Sequence, residues 1–322
     1  MNAFATVTLN PCIDKTLYFY SEFRTGTLNR AKHSVMNPGG KGVNVSRVFR
    51  QFDIDVPMFG IAGGETGKLF QELLMREGIH SSFAKSAAET RLCIKMIDSM
   101  GVCTEANEAG GPFSAEEYEE FEKKLLSYVE HSDTTVFLGG SIPEGIPKYA
   151  YRDLGNKLKA RNANVVLDAD GEALRYGLEA HPMLIKPNDA ELARLTGKEI
   201  TGDTPEERVY SAARIAKDAA KTYETEILCT LGADGALWTN GKTAYRVNAP
   251  NVPLRGFTGA GDTFLAAYFL CRAPGSCTPV PIALRAGASA AAAKVSMPGT
   301  QIPDRDQLQD YYDRTKAVEL KI

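Results

Sequence analysis

Residues 134–170, "TTVFLGGSIPEGIPKYAYRDLGNKLKARNANVVLDAD", carry the pattern that decides the fold. The stretch opens with a short apolar run, continues through 147–160, where apolar side chains recur at helical spacing, and closes with a second apolar run. Short apolar runs next to glycine are typical of strands that are buried on both faces. The order of strand, amphipathic helix and strand predicts two parallel strands joined by a crossover helix.

The same alternation continues in both directions along the chain. Further strands are predicted at "FATVTL", "VPMFGIAG", "PMLIKP" and "EILCTLG", and further helices at 41–52, 65–77, 114–130 and 204–221. This repetition predicts an α/β fold with a central, mostly parallel sheet and helices on both faces. Ligands of such sheets bind at the carboxyl ends of the strands, so we expect the functional site at that edge. Polar residues follow three of the predicted strands, at Asn10 to Asp14, Gly139 to Ser141 and Lys186 to Asn188.

Two segments, 15–36 and 91–107, look like strands without intervening helices. They predict a small β-sheet that stands off the main sheet and is built from about 12–37 and 90–107. In "RLCIKMI", strand alternation places Arg91, Cys93 and Lys95 on one face. Two cations on that face would attract an anion if the face overlooks the crevice, whereas a solvated edge-strand face is the alternative.

Composition limits the classes of function. A chain of 322 residues buries about three quarters of the surface that it exposes when unfolded, so its core needs no disulfide or metal. This length fits one large domain with an appendage, or two domains, and no linker-like tract divides the chain; we expect a single domain over residues 1–322. The formal net charge of −3 gives no indication of a nucleic-acid surface. The N-terminus lacks a basic leader and no apolar run reaches transmembrane length, which favours a cytoplasmic protein without a membrane segment.

The six cysteines show no C-x-x-C spacing and no nearby histidine, and most of them stand among apolar residues. This pattern predicts buried thiols in a reducing compartment rather than disulfides or a zinc site.

The stretch "LRGFTGAGDTFLAAYFL", 254–270, places Asp262 between small residues and an apolar helix. The backbone N–H groups of Gly259, Ala260 and Gly261 could converge on an anion at the positive end of that helix. A carboxylate beside them could accept the proton of an attacking hydroxyl in phosphoryl transfer. The alternative is that Asp262 is only the N-cap of the helix.

A second glycine cluster is "NPGGKGVNVSRVF", 37–49. Gly39 and Gly40 permit close backbone approach to a ligand, Lys41 could meet a phosphate, and Asn44 could bond sugar hydroxyls. A tight strand-to-helix turn is the alternative. The cluster is not a Walker A loop, because glycine follows Lys41, and no G-x-G-x-x-G follows the first predicted strand.

In the third constellation, "IKPNDAEL" at 185–192, Asn188 and Glu191 share one helical face if a helix starts at Asn188. An amide and a carboxylate near phosphates could hold magnesium through water. A capping box, with Asn188 at the N-cap and Glu191 three residues later, fits the same spacing.

Together these segments resemble a known family. "TLNPCID", "NPGGKGVNVSR", "TRLCIK", "LGGSIPEG", "IKPNDAEL", "TLGADGAL" and "TGAGDTF" are similar to the motifs of the ribokinase-like sugar kinases of the PfkB group. The resemblance runs from about residue 6 to about residue 300. Within the family it points to the branch that holds 1-phosphofructokinase and tagatose-6-phosphate kinase, and it implies a ribokinase-like fold.

The resemblance also implies roles for individual residues. Asp262 would be the general base, with Gly259, Ala260 and Gly261 as the anion hole. The sugar phosphate would be contacted by Asp14, Arg30, Gly39, Gly40, Lys41, Asn44, Arg91, Lys95 and Ser141. Lys186, Asn188, Glu191, Thr230, Gly232, Gly235 and Thr258 would bind ATP, and Glu191 and Asn188 would organise Mg²⁺, through water. The adenine would lie between about 247–257 and the helix "RAGASAAAAK", and the small sheet would be a lid and a homodimer interface.

We therefore expect an ATP- and Mg²⁺-dependent kinase of a ketohexose phosphate that converts fructose 1-phosphate into fructose 1,6-bisphosphate. Tagatose-6-phosphate kinase is the alternative, and a non-catalytic sugar-phosphate sensor is a weaker one. Cys93 stands where phosphofructokinases of this group often have asparagine, whereas Lys95 resembles the 1-phosphofructokinase pattern. Phe257 is bulkier than the usual residue before "TGAGD", which leaves open whether a monovalent cation binds beside it.

Overall fold

The computed structural model describes residues 4–129, 133–256, 259–297 and 303–322, and within these ranges its strands form two sheets. The strands are β1 (Phe4–Thr8), β2 (Cys12–Phe19), β3 (Ala31–Gly39), β4 (Met58–Gly63), β5 (Ser81–Ser86), β6 (Arg91–Ile97), β7 (Cys103–Asn107), β8 (Thr135–Gly139), β9 (Asn164–Asp168), β10 (Leu184–Ile185), β11 (Glu226–Thr230), β12 (Ala236–Thr239), β13 (Ala244–Val247) and β14 (Ala317–Glu319). The helices are α1 (Lys41–Gln51), α2 (Gly64–Arg76), α3 (Ala115–Val129), α4 (Ala150–Lys159), α5 (Gly171–Leu178), α6 (Asp189–Thr196), α7 (Pro205–Tyr223), α8 (Ala260–Cys271), α9 (Val280–Val295) and α10 (Arg305–Asp313).

The main sheet has the strand order β14-β13-β12-β11-β10-β9-β8-β1-β4-β5. The strands from β5 to β11 are parallel, and β12, β13 and β14 are antiparallel to their neighbours. In register, Thr8 lies beside Gly139 and Gly139 beside Asp168, so the carboxyl ends of β1, β8 and β9 meet at one edge. The predicted mostly parallel sheet is confirmed.

Strand β1 shows why helices cover both faces of this sheet. All five of its residues are buried, and successive side chains point to opposite faces of the sheet. Ala5 and Val7 belong to the cluster that includes side chains of α3, α4 and α7. Phe4 belongs to the other cluster, which includes side chains of α1, α8 and α9, and its ring lies 4.6 Å from that of Phe49. Each face therefore needs its own helical layer.

The small sheet has the strand order β3-β2-β6-β7. Strand β2 is parallel to β6, with Cys12 opposite Arg91 and Asp14 opposite Cys93. Cys12, Asp14, Cys93 and Lys95 are all buried on the face that these registers share. The predicted alternation in "RLCIKMI" is therefore correct, and this inner face is not a solvated edge-strand face.

Several sequence-based boundaries differ from the structure. The helix predicted at 147–160 begins at Ala150, because 147–149 form a turn in which the Ala150 amide donates to the Pro147 carbonyl. Near the C-terminus, α10 ends at Asp313, and β14 then pairs with β13. Strands β5, β12 and β13 and helix α5 were not predicted.

The six cysteines are all free thiols, and Cys12, Cys93 and Cys229 are buried. Burial does not extend to Cys103, which begins the edge strand β7, or to Cys277 in the loop between α8 and α9; both are exposed. None of the helices in the described ranges is both long enough and apolar enough to span a membrane.

Replacing Gly235 should destabilise the turn that joins β11 to β12. Gly235 has φ +94°, and an added Cβ would lie 2.0 Å from the Val247 carbonyl oxygen. Gly171 is the matched control, because its φ is also positive (+58°) but an added Cβ would meet nothing within 4 Å. We expect Gly235→Ala to lower the free energy of unfolding by about 3 kcal/mol and Gly171→Ala by about 1 kcal/mol in urea titrations. Equal losses would contradict this account of the turn.

Candidate active site

A buried carboxylate, Asp168, joins two lysines at the carboxyl edge of the main sheet. Asp168 is the last residue of β9 and is 3% exposed. Its Oδ1 lies 2.5 Å from the Nζ of Lys41, the first residue of α1, and its Oδ2 lies 3.1 Å from the Nζ of Lys186, which follows β10. One acid thereby connects the glycine turn before α1 to the segment that precedes α6.

The charges of these three groups support one another. Burial works to raise the pKa of Asp168, but the ammonium groups of Lys186 and Lys41 outweigh it and hold that pKa below its ordinary value. Burial works to lower the pKa of Lys41, but the carboxylates of Asp168 and Asp262 raise it above its ordinary value. The cluster therefore keeps positive charge in the cleft at neutral pH.

Asp262 lies beside this cluster, in the first turn of α8. The N-cap of α8 is Gly259, with φ +80°, so the alternative that Asp262 is the N-cap is wrong. The side chain is buried, and its Oδ2 accepts a hydrogen bond of 2.6 Å from the Asn44 Nδ2 of α1. Burial, followed by the negative charge of Asp168, raises the pKa of Asp262, and the charges of Lys41 and Lys186 offset part of this increase. A raised pKa makes this carboxylate a stronger proton acceptor.

The first residues of α8 form a setting suited to an anion. The N–H groups of a helix's first turn have no partner within the helix, and they carry the positive end of its dipole. Lys186 lies close to this end, because a Cβ added to Gly261 would be 3.1 Å from its Nζ. The predicted cradle of Gly259, Ala260 and Gly261 therefore lies next to an ammonium group as well as next to Asp262.

The residues predicted to contact sugar fall largely on one side of this centre. Asp14 is buried, with its Oδ1 3.3 Å from the Nζ of Lys95. Gly39 lies against Asp14, since an added Cβ would be 2.6 Å from its Oδ2, so a larger residue would force this buried side chain to shift. Gly40 has φ +132° and precedes Lys41, which begins α1. Ser141 is exposed at the neighbouring strand end, where its Oγ accepts a hydrogen bond of 3.0 Å from Asn10.

The two predicted phosphate-binding arginines are placed differently. The Arg91 guanidinium is partly exposed and donates to the carbonyl oxygens of Asn10 and Glu108 beside the cleft. Arg30 is exposed just before β3. Asp14 pairs with Asn37, and a strand rises about 3.3 Å per residue, so Arg30 lies about 20 Å further along β3. The structure does not bring Arg30 together with the other predicted sugar-site residues.

On the other side of α8 lies a cavity of about 610 Å³ with a mostly apolar lining. Small residues of α9 and the segment 249–252 form its walls, as the sequence analysis expected for an adenine site, and Ala260 and Gly261 lie at the end nearest to Asp262. Thr230, Gly232 and Gly235 also line this cavity. Thr258, predicted to bind ATP, and Phe257, predicted to flank the adenine, lie outside the described residues.

Asn188 and Glu191 form the capping box of α6. Asn188 Oδ1 accepts from the Glu191 amide, and Glu191 Oε2 accepts from the Asn188 amide, both at 2.8 Å. The capping alternative is therefore confirmed, although capping uses only one oxygen of the Glu191 carboxylate. The other carboxylate oxygen of Glu191 takes no part in this capping box. Oxygens of this kind fit a hard cation such as Mg²⁺.

The chain matches the family model described as pfkB family carbohydrate kinase over residues 7–307. It belongs to the PfkB family of carbohydrate kinases. It is 34% identical to the 1-phosphofructokinase of Bacillus subtilis (strain 168), across 82% of this chain and 83% of that protein. It is 33% identical to a tagatose-6-phosphate kinase of Staphylococcus epidermidis, across 81% and 82% of the two chains. The predicted family membership is therefore confirmed.

Solved structures confirm the ribokinase-like fold of this PfkB kinase. The phosphofructokinase-2 of Escherichia coli in complex with potassium superposes with a TM-score of 0.88 at 25% identity. The superposition covers 98% of this chain and 99% of that chain. The small sheet is included in the match, since it lies within the covered length.

Two charged residues of this cleft were missed by the sequence analysis. Asp168 ends "NVVLD", and an acid directly after a buried strand was the signal that could have identified it. Lys294 of α9 is 4% exposed, and its Cε would lie 3.6 Å from a Cβ added to Gly259. Burial, and then the charges of Arg47 and Lys95, lower the pKa of Lys294 to about 8. Lys294 stands in an alanine-rich helix, where no local pattern distinguishes it from a surface lysine.

Asp168→Asn should strongly destabilise this kinase, because it leaves two lysines near the cleft without their shared counter-charge. We expect the free energy of unfolding to fall by about 3 to 5 kcal/mol in urea titrations. Asp170→Asn is the matched control two residues away. Asp170 pairs with the exposed Arg194, and asparagine keeps its ability to cap α5, so this change should cost less than about 1 kcal/mol. If both variants lost the same small amount, Asp168 would not hold the cluster together.

Proposed function

We propose that this PfkB kinase transfers the γ-phosphoryl group of ATP to a ketohexose phosphate, with fructose 1-phosphate as the favoured acceptor and fructose 1,6-bisphosphate as the product. The observation that carries the proposal is the placement of Asp262. Its buried carboxylate lies at the N-terminus of α8, between the predicted sugar side with Asn44 and the apolar cavity that reaches Gly261. This arrangement supports a proton acceptor at the junction of two substrate sites.

In the proposed reaction, a sugar hydroxyl near Asn44 gives its proton to Asp262 as its oxygen attacks the γ-phosphorus. The bond from that phosphorus to the bridging oxygen breaks, and ADP leaves. The N–H groups at the start of α8 and the ammonium groups of Lys186 and Lys41 would stabilise the negative charge on the transferring group. Glu191 and Asn188, acting through water, would hold Mg²⁺. The ion would neutralise phosphate charge when bound.

The choice of acceptor rests on the relatives and on charge. The named relatives include both 1-phosphofructokinases and tagatose-6-phosphate kinases at similar identity, so tagatose 6-phosphate remains the second candidate. Both sugars carry a phosphate at one end, which Arg91 and Lys95 would attract. The non-catalytic sensor is disfavoured, because Asp262 and the helix N-terminus beside it are intact. For Arg30, sugar contact requires lid movement or a second subunit.

We also propose that the chain is a single-domain kinase and that its small sheet is a lid. Two copies of the chain would form a homodimer through this lid. Its outer face supports this proposal, because Leu17, Met36, Ile94 and Met96 are partly or fully exposed apolar side chains there. A second copy would cover them. A cytoplasmic location, where ATP and sugar phosphates are available, stays a prediction. The binding of a monovalent cation near Phe257 also stays a prediction.

Asp262→Asn should abolish most of the turnover without disturbing substrate binding. Loss of a positioned base costs about a hundredfold to ten-thousandfold, so we expect kcat to fall by about a thousandfold. Dissociation constants for ATP and sugar phosphate should change by less than about threefold, and Asp170→Asn should leave kcat unchanged. Because the base must be ionised, wild-type kcat should fall as the pH decreases through the raised pKa of Asp262, above the ordinary value of about 3.9. A mild loss of kcat would remove Asp262 from the reaction.

A coupled ADP-release assay should identify the acceptor. We expect the highest kcat/KM with fructose 1-phosphate when it is compared with fructose 6-phosphate, tagatose 6-phosphate and free fructose, because the cationic inner face of the small sheet favours a phosphorylated acceptor. Highest activity with tagatose 6-phosphate would establish the alternative. Preference for free fructose would contradict the role of the cations, and tight sugar-phosphate binding without ADP release would favour the sensor.

A further inference from the structure

Three metal-ligating side chains converge on the inner face of the small sheet. Cys12 and Asp14 are two residues apart in β2, so their side chains lie on the same face, and Cys93 lies opposite Asp14 on the neighbouring strand β6. One ligand atom of each residue lies within 4.8 Å of those of the other two, and all three side chains are buried. We propose that Cys12, Asp14 and Cys93 bind a thiophilic divalent cation, with Zn²⁺ as the probe, and that an exchangeable oxygen ligand completes the site.

The donor spacing is close to that of a zinc site. Zinc binds thiolates at about 2.3 Å and carboxylates at about 2.0–2.2 Å, so tetrahedral donors lie about 3.3–3.8 Å apart. The Cys12 Sγ is already 4.0 Å from Asp14 Oδ1, so small rotations of the side chains would close the site. The backbone of Gly39 lies next to the donors, and a side chain there would touch them, since an added Cβ would be 2.7 Å from Cys12 Sγ and 2.6 Å from Asp14 Oδ2. Glycine at this position keeps one side of the triad free of a side chain.

The charges around the triad also fit a divalent cation. On binding, each thiol loses its proton, so two thiolates and one carboxylate surround the ion and the complex carries one net negative charge. The Lys95 ammonium, 3.3 Å from Asp14 Oδ1, compensates that charge. Mg²⁺ would not compete, because it prefers oxygen ligands in an octahedral arrangement, whereas soft thiolates select zinc-like ions.

This site would couple metal binding to the substrate, a consequence that rests on the proposed function. Asp14 is one of the residues that the family resemblance implies contact the sugar phosphate, and a carboxylate bound to the metal would not be available for that contact. Zn²⁺ should therefore exclude the sugar phosphate while leaving ATP binding largely unchanged. Metal binding itself does not depend on the kinase reaction, so the two claims can fail separately.

Calorimetric titration with Zn²⁺ tests the ligand set. We would use the full chain with the exposed Cys103 and Cys277 replaced by serine, and add Cys12→Ser or Cys93→Ser. Cys229→Ser is the matched control, because Cys229 is buried in β11 of the main sheet. Even outer-shell changes cost about 10- to 100-fold in metal affinity, so loss of a direct thiolate should cost about 100-fold or more. Equal affinity in all three variants, or no binding below about 100 μM, would overturn the site.

A second test is zinc-edge X-ray absorption of the full chain with only Cys103 and Cys277 replaced by serine. The triad is unchanged in this protein, so the test does not depend on whether a triad variant folds. We expect two sulfur neighbours at about 2.3 Å, and a shell of nitrogen and oxygen alone would overturn the proposal.

A final titration adds fructose 1-phosphate. If it displaces Zn²⁺, both the site and the coupling are supported. If Zn²⁺ keeps two sulfur ligands and is not displaced, the metal site is established, and both the coupling and the assignment of Asp14 to the sugar are wrong.

Discussion

The shared ion pair of Asp168 with Lys41 and Lys186 is the interaction on which the cleft depends. A buried ammonium or carboxylate without a counter-charge is costly, and here one acid serves two lysines that come from different elements. The position of α1 relative to the end of β9 is thereby fixed electrostatically as well as by packing. Because Lys186 also lies against Gly261, the same pair places a positive charge at the N-terminus of α8.

The fold was predictable where a strand is buried on both faces, because short runs rich in apolar and β-branched residues, such as β1 and β8, favour a strand over a longer helix. Strand β5 ("SSFAKS") was missed, because it lies at an edge of the main sheet and is only partly buried, so its sequence is mixed. The four-residue β12 is too short for periodicity to distinguish it from a loop. Local sequence therefore indicated the centre of the sheet and not its margins.

The residues of the candidate site differ in the same way: local sequence identifies some of them, and only the folded chain brings the others together. Asp262, Lys41 and Asn188 stand in glycine- or proline-containing motifs, so their local sequence was informative. Asp168 acts through Lys41, which lies 127 residues away in the chain, and only the sheet register brings them together. The Cys12, Asp14 and Cys93 triad is a stronger case, because cysteine spacing favours buried thiols over a metal site, whereas the pairing of β2 with β6 brings together the three side chains of the site that we propose.

The three buried acids of the cleft differ in their partners, and this difference explains why one of them can act as a base. Asp14 pairs with the ammonium of Lys95, and Asp168 pairs with those of Lys41 and Lys186. Asp262 instead accepts its hydrogen bond from the neutral amide of Asn44, and the nearby charge of Asp168 works against its ionisation. The ammonium groups hold the pKa of Asp168 below its ordinary value, whereas burial and the charge of Asp168 raise the pKa of Asp262, so Asp262 is the stronger proton acceptor of these two. The carboxylate of Asp168 therefore both joins the two lysines and raises the basicity of Asp262, and the two lysines offset part of that effect.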